Sequence, residues 1–141
     1  MQTQSFMVDV PGGQVFVQRW QPASATSGAA CPIVLLHESL GSVGQWHDFP
    51  ARLAQATGRE VLAYDRLGFG QSSPRSDAPS LQFIAHEAQQ HFPALVAALG
   101  LERYALLGHS VGAVMALHIA AALPAQCQAV LSLSAPAYVQ P

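Results

Sequence analysis

The chain has 141 residues, half of them hydrophobic and a tenth charged, which suits one domain with a substantial core. Six arginines, with no lysine, stand against eight acidic residues for a formal charge of -2. That leaves no basic stripe for a phosphate backbone and too little polarity for disorder, which excludes nucleic-acid binding and an unfolded chain.

Short apolar runs alternate with segments of helical period, the pattern of an α/β domain with a largely parallel sheet. Phe6–Val10 reads as a first strand, Pro11-Gly12-Gly13 as a turn, and Gln14–Trp20 as its antiparallel partner. The Ser/Ala/Thr-rich stretch Pro22–Ala30 reads as a loop. Pro32–Leu36 (PIVLL) is continuously apolar, as in a strand covered on both faces. Trp46, Phe49, Leu53 and Ala56 then recur at helical spacing, with Pro50 near the start and Gly58 past the end. Val61–Tyr64 is another buried strand, and Gly68–Ser80 is a Gly/Ser/Pro loop ending at a candidate N-cap, Ser80. From Ile84 to Leu99 an apolar stripe runs along a helix that Gly100 stops and Pro93 kinks or divides. Strand Tyr104–Leu107, helix Ser110–Leu123 and strand Ala129–Ser134 complete the order.

Other signals set the surroundings. The N-terminal 13 residues show no basic segment followed by an apolar run, so a cytoplasmic location without a secretory leader is expected. The longest apolar stretch, Val111–Leu123, is interrupted by Gly112 and His118 and falls short of the ~20 residues that cross a bilayer. Cys31 and Cys127 are expected to be reduced thiols, and no metal or cofactor is called for.

The chemistry concentrates at strand ends. Gly108-His109-Ser110-Val111-Gly112 is a G-x-S-x-G between an apolar strand and a helix, the arrangement of a nucleophile elbow. Such a serine occupies a sharp, strained turn, and glycine two residues to either side removes collisions. The following helix aims free backbone N–H groups at an anion forming on the serine. His37-Glu38-Ser39-Leu40-Gly41-Ser42 follows the strand PIVLL, and Asp65-Arg66-Leu67-Gly68-Phe69-Gly70-Gln71-Ser72 follows Val61–Tyr64. All three motifs sit at carboxyl ends of strands, where open α/β sheets bind ligands.

In these motifs the chain resembles the α/β-hydrolase fold family, through an HG-type oxyanion loop, D-x-x-G-x-G-x-S and G-x-S-x-G. The resemblance implies a mostly parallel sheet with about six of the usual eight strands, in the order 1-2-4-3-5-6, and flanking helices. Residues 1–141 would then form a single truncated domain without the lid and last strands. It further implies Ser110 as nucleophile and the backbone N–H groups of Ser39 and Val111 as the oxyanion hole. His37 would brace the oxyanion loop, His109 would pack within the elbow, and Asp65 would hold a structural turn. Trp46, His47 and Phe49 are candidates for the edge of a pocket. The implied substrate is a small acyl compound, ester-like or related, with neither nucleic acid nor membrane as partner. A cofactor-free haloperoxidase-like activity is a variant of the same machinery.

Two departures shape the expectations. Where the family has glycine after the histidine, this chain has Glu38, whose carboxylate would oppose an oxyanion and is expected to turn away, toward Arg66. After Ser110 no Asp or Glu occurs and His118 is the one later histidine, so neither acid nor base for Ser110 is found. The chain is therefore expected to be inactive alone and to meet a complementing chain or a dimer partner through the edge of strand six. The rival reading is a non-catalytic binding or assembly module.

Overall fold

A computed structural model describes residues 1–23, 30–75 and 81–136. Strands β1 (Gln2–Val10), β2 (Gly13–Gln21), β3 (Ile33–Leu36), β4 (Val61–Tyr64), β5 (Tyr104–His109) and β6 (Cys127–Leu133) form one sheet in the order β1-β2-β4-β3-β5-β6. The hairpin β1–β2 pairs antiparallel in the register Val8↔Val15, and β2 pairs antiparallel with β4 through Val17↔Tyr64. The remaining pairs, β4–β3, β3–β5 and β5–β6, are parallel. This is the expected mostly parallel, six-stranded α/β-hydrolase-type sheet.

Covering helices explain the strand compositions. Every residue of β3 and β4 is buried, because side chains alternate between two packed faces. On one face Val34, Leu36, Leu62, Tyr64 and Leu106 meet α3 (Phe92–Leu99) and α4 (Val111–Ala122) through Phe92, Leu95, Met115 and Ile119. Phe92 packs edge-on against Tyr104 at 5.2 Å between ring centroids. On the other face Ile33, Leu35, Val61, Ala63 and Leu107 meet Trp20 of β2 and Ala54 of α1 (Phe49–Thr57).

The structure corrects several boundaries. Trp46 belongs to a separate 3₁₀ turn, Val43–Trp46, and α1 begins only at Phe49 with Pro50 in its first turn. The long helix is continuous but passes from α2 (Phe83–His86) through a π turn, Glu87–His91, into α3. Pro93 causes this: a helical proline donates no hydrogen bond and crowds the preceding turn, and a widened turn ahead of it accommodates both. Strand β6 starts at Cys127 rather than Ala129, and Ser134 lies beyond its end with a positive φ of 56°. The candidate cap Ser80 and most of the loop 22–30 lie outside the described residues. Cys31 and Cys127 are both free thiols.

Candidate active site

The chain crosses from β5 into α4 in one residue. Ser110 takes φ 57° and ψ −118°, a left-handed backbone that costs a non-glycine residue roughly 1–3 kcal/mol. Its neighbours show why the turn is so tight. A Cβ on Gly108 would stand 2.2 Å from the carbonyl oxygen of Gly112, and a Cβ on Gly112 would stand 2.2 Å from that of Leu36. The helix thus starts against the end of β3, leaving no room for a methyl group. The Ser110 amide donates to the Leu133 carbonyl of β6 at 2.9 Å. Its side chain makes no capping bond to α4, so the hydroxyl is not consumed as a helix cap.

The loop after β3 is braced from below. His37 is buried, with Nδ1 donating to the Glu38 carbonyl at 2.7 Å and Nε2 accepting the Arg66 amide at 3.1 Å. The Arg66 guanidinium, also buried, donates to the carbonyl oxygens of His37 and Glu38 and lies over the Phe69 ring at 5.3 Å. The loop turns through a hydrogen bond from the Gly41 amide to the Glu38 carbonyl, leaving Ser39 exposed at its tip.

Burial, aided by the Arg66 charge and opposed by the bond to the Glu38 carbonyl, lowers the His37 pKa from 6.5 to about 3. With both ring nitrogens occupied, His37 is a brace and has no proton-transfer role to offer. Unfolded, the imidazole charges below its ordinary value near 6.5, whereas folded it resists charging down to about 3. Its contribution is therefore complete above pH 6.5 and declines as pH falls toward 3, by up to about 1.4 kcal/mol per pH unit. The stability difference between wild type and His37→Gln, measured by urea denaturation from pH 7 to pH 4, should shrink with falling pH. A difference independent of pH would remove this assignment.

The loop after β4 is knotted around Asp65. Its Oδ1 accepts the Val43 amide at 2.6 Å, its Oδ2 accepts the Gln71 amide at 2.8 Å, and its carbonyl accepts the Ser72 hydroxyl at 2.6 Å. The carboxylate is committed to the Val43 and Gln71 amides and so holds two loops together. Beneath it lies a polar cluster that the residue pattern did not reveal. Tyr64 donates through its hydroxyl to Glu87 Oε1 at 2.7 Å, with both residues buried, and burial together with Glu87 pushes the Tyr64 pKa well upward. The available signal was an acidic residue within the apolar stripe Ile84–Phe92.

The Glu38 side chain does not turn toward Arg66. Its carboxylate faces His109 Nδ1 at 3.6 Å, and Arg66 binds only its backbone carbonyl. The guanidinium is buried under the loop and occupied by two carbonyl oxygens, whereas the Glu38 side chain stays half-exposed above it. Glu38 and His109 form two walls of a cleft of about 140 Å³ completed by His37, Ser42, Gln45 and Trp46. Of the three pocket-edge candidates, Trp46 lines this cleft; Phe49 stacks behind it at 5.8 Å, and His47 does not line it. His118 is exposed on α4, about 12 Å of helical rise from Ser110. Among the described residues no group of three or more His, Cys, Asp or Glu is placed to hold a metal ion. Nor is any described helix long and apolar enough to cross a membrane.

Residues 32–140 match the family model described as alpha/beta hydrolase fold. The chain belongs to the α/β-hydrolase fold family. Among curated members it is similar to a proline iminopeptidase of Lactobacillus delbrueckii subsp. lactis, 33% identical over 101 residues, or 70% of this chain and 34% of that protein. The crystal structure of proline iminopeptidase from Mycobacterium smegmatis matches with a TM-score of 0.80 and 32% identity, covering 95% of this chain and 44% of that one. The naproxen esterase of Bacillus subtilis shares the fold with a TM-score of 0.76 at 23% identity, again over 95% and 44%. The chain thus spans about a third to under half of the length of these α/β-hydrolases.

Proposed function

We propose that this chain is the nucleophile-bearing part of a serine hydrolase acting on an ester-like or other acyl substrate. The carrying observation is the backbone of Ser110, held at φ 57° between β5 and α4 by close contacts at Gly108 and Gly112. In this reading Ser110 Oγ attacks the acyl carbonyl, and the N–H groups of Ser39 and Val111 receive the oxyanion. The tetrahedral intermediate collapses to an acyl-serine as the leaving group departs with the proton, and water then hydrolyses that ester. One base must take the Ser110 proton and pass it to the leaving group, then take a proton from the attacking water and return it to Ser110. The buried, doubly bonded His37 and the distant His118 do not supply it.

The base and its orienting acid are therefore proposed to come from the region corresponding to the rest of the longer relatives, in the same polypeptide or another. That complement would add to β6 and cover α4, where Leu117, Leu131 and Leu133 are exposed. The same exposed leucines favour the assembly reading, in which the chain pairs with a partner without catalysis. A cytoplasmic setting accords with the two unpaired cysteines.

A fluorophosphonate probe separates the readings, because it labels an activated serine. The 141-residue chain alone should remain unlabelled, and the chain fused to the C-terminal portion of the M. smegmatis enzyme should label at Ser110. The Ser110→Ala form of that fusion should stay unlabelled. Labelling of the chain alone would overturn the missing base, and a folded fusion without labelling would favour the assembly module.

A further inference from the structure

We propose that the cleft between Glu38 and His109 is a subsite for an ammonium group carried by the acyl substrate of Ser110, an inference that rests on the hydrolase reading above. Its position comes from two chain neighbours. Glu38 precedes Ser39 and His109 precedes Ser110, so two walls of the cleft stand one residue along the chain from the proposed oxyanion donor and nucleophile, which do not themselves line it.

The lining residues select the charge. Glu38 brings a carboxylate, Gln45 and Ser42 bring neutral oxygens, and Trp46 brings an aromatic indole; a carboxylate beside an aromatic ring suits a small cation. No lysine or arginine lines the cleft. Arg66, the neighbouring cation, is committed beneath the loop to the backbone carbonyls of His37 and Glu38. His37 contributes no charge, since burial keeps its ring neutral down to about pH 3. His109 lies 3.6 Å from the carboxylate, too long for a strong hydrogen bond, and the Glu38 side chain remains 44% exposed.

Electrostatics of the reaction point the same way. A carboxylate beside an oxyanion hole opposes the negative charge that develops on the substrate. A substrate ammonium seated on Glu38 cancels that charge, so the residue penalises neutral acyl compounds and admits amino-bearing ones. The volume of about 140 Å³ takes an ammonium and a few carbons, well below that of a drug-sized pocket.

The test is an NMR titration of the 141-residue chain with propylammonium chloride, with propan-1-ol as neutral counterpart and sodium chloride as salt control. Propylammonium should give saturable shifts at the Trp46 indole N–H and at His109, with an affinity about tenfold above that of propan-1-ol. Glu38→Gln should remove that preference, and Glu38→Asp, which keeps the charge on a shorter arm, should retain part of it. Equal binding of the two ligands, or an unchanged preference in Glu38→Gln, overturns the subsite. Fluorophosphonate labelling of the fusion reports on Ser110 separately, so loss of ammonium binding with labelling intact condemns the subsite alone.

Discussion

Gly112→Ala should destabilise the chain by about 3 kcal/mol or more. The new Cβ would lie 2.2 Å from the Leu36 carbonyl oxygen and 2.6 Å from that of His37. Both obstacles are backbone, so no side chain can swing aside to relieve them. Relief requires α4 to retreat from β3, which would also draw the Val111 amide away from the loop that follows β3. Stability and site geometry should therefore fail together. Gly44→Ala serves as the control, because a Cβ there meets nothing nearer than the Ser42 hydroxyl at 3.8 Å. Urea denaturation should show a large drop in midpoint for the first and a change within about 0.5 kcal/mol for the second. Equal midpoints for the two variants would show that the turn at Ser110 is looser than the contacts indicate.

Removing the Asp65 carboxylate comes second in size. Asp65→Ala leaves the Val43 and Gln71 amides without their acceptor at a site only 1% exposed. Hydrogen bonds to a charged group contribute roughly 1.5–3 kcal/mol each, so a loss of about 3 kcal/mol is expected. Asp65→Asn should lose about half as much. It keeps one acceptor oxygen but turns an NH₂ group toward the other amide. The comparison tests the role of the residue directly. A structural knot predicts graded stability losses by thermal or urea unfolding, whereas an Asn variant as stable as wild type would contradict it. The same carboxylate explains Gly70, where a Cβ would stand 2.1 Å from Asp65 Oδ2.

Much of the sheet was legible because buried parallel strands require uninterrupted apolar residues. Val61–Tyr64 emerges with the expected boundaries, and PIVLL becomes β3 with only Pro32 outside it. The helix ends at Gly58 and Gly100 were equally visible, since both glycines close their helices in the left-handed conformation. Irregular segments were not legible at that level. Trp46 has the spacing of a helical residue, but the preceding turn is 3₁₀ and breaks the continuity with α1. Pro93 announced a disturbance without revealing its form, because a kink, a break and a π turn all accommodate a proline.

The tight turn at Ser110 was readable from residue types, because close backbone approach at Gly108 and Gly112 demands glycine. Side-chain direction was not. Glu38 and Arg66 are both charged and both near the loop, which suggests an ion pair from sequence. Yet Arg66 has two carbonyl oxygens to satisfy and Glu38 has His109 beside it. Glu87 was hidden for a related reason, since its only visible role was to interrupt an apolar stripe until Tyr64 was brought against it.

The amino-acid sequence by itself determined the strand and helix order, the family and the position of Ser110, since these depend on local periodicity and on glycines at fixed spacing. Tertiary structure alone decided which donors meet which acceptors: the neutral His37 brace, the Asp65 knot, and the carboxylate of Glu38 facing the cleft. Those pairings join residues as far apart along the chain as Glu38 and His109. Competition for partners among groups brought together by folding settles them, and no local pattern encodes its outcome.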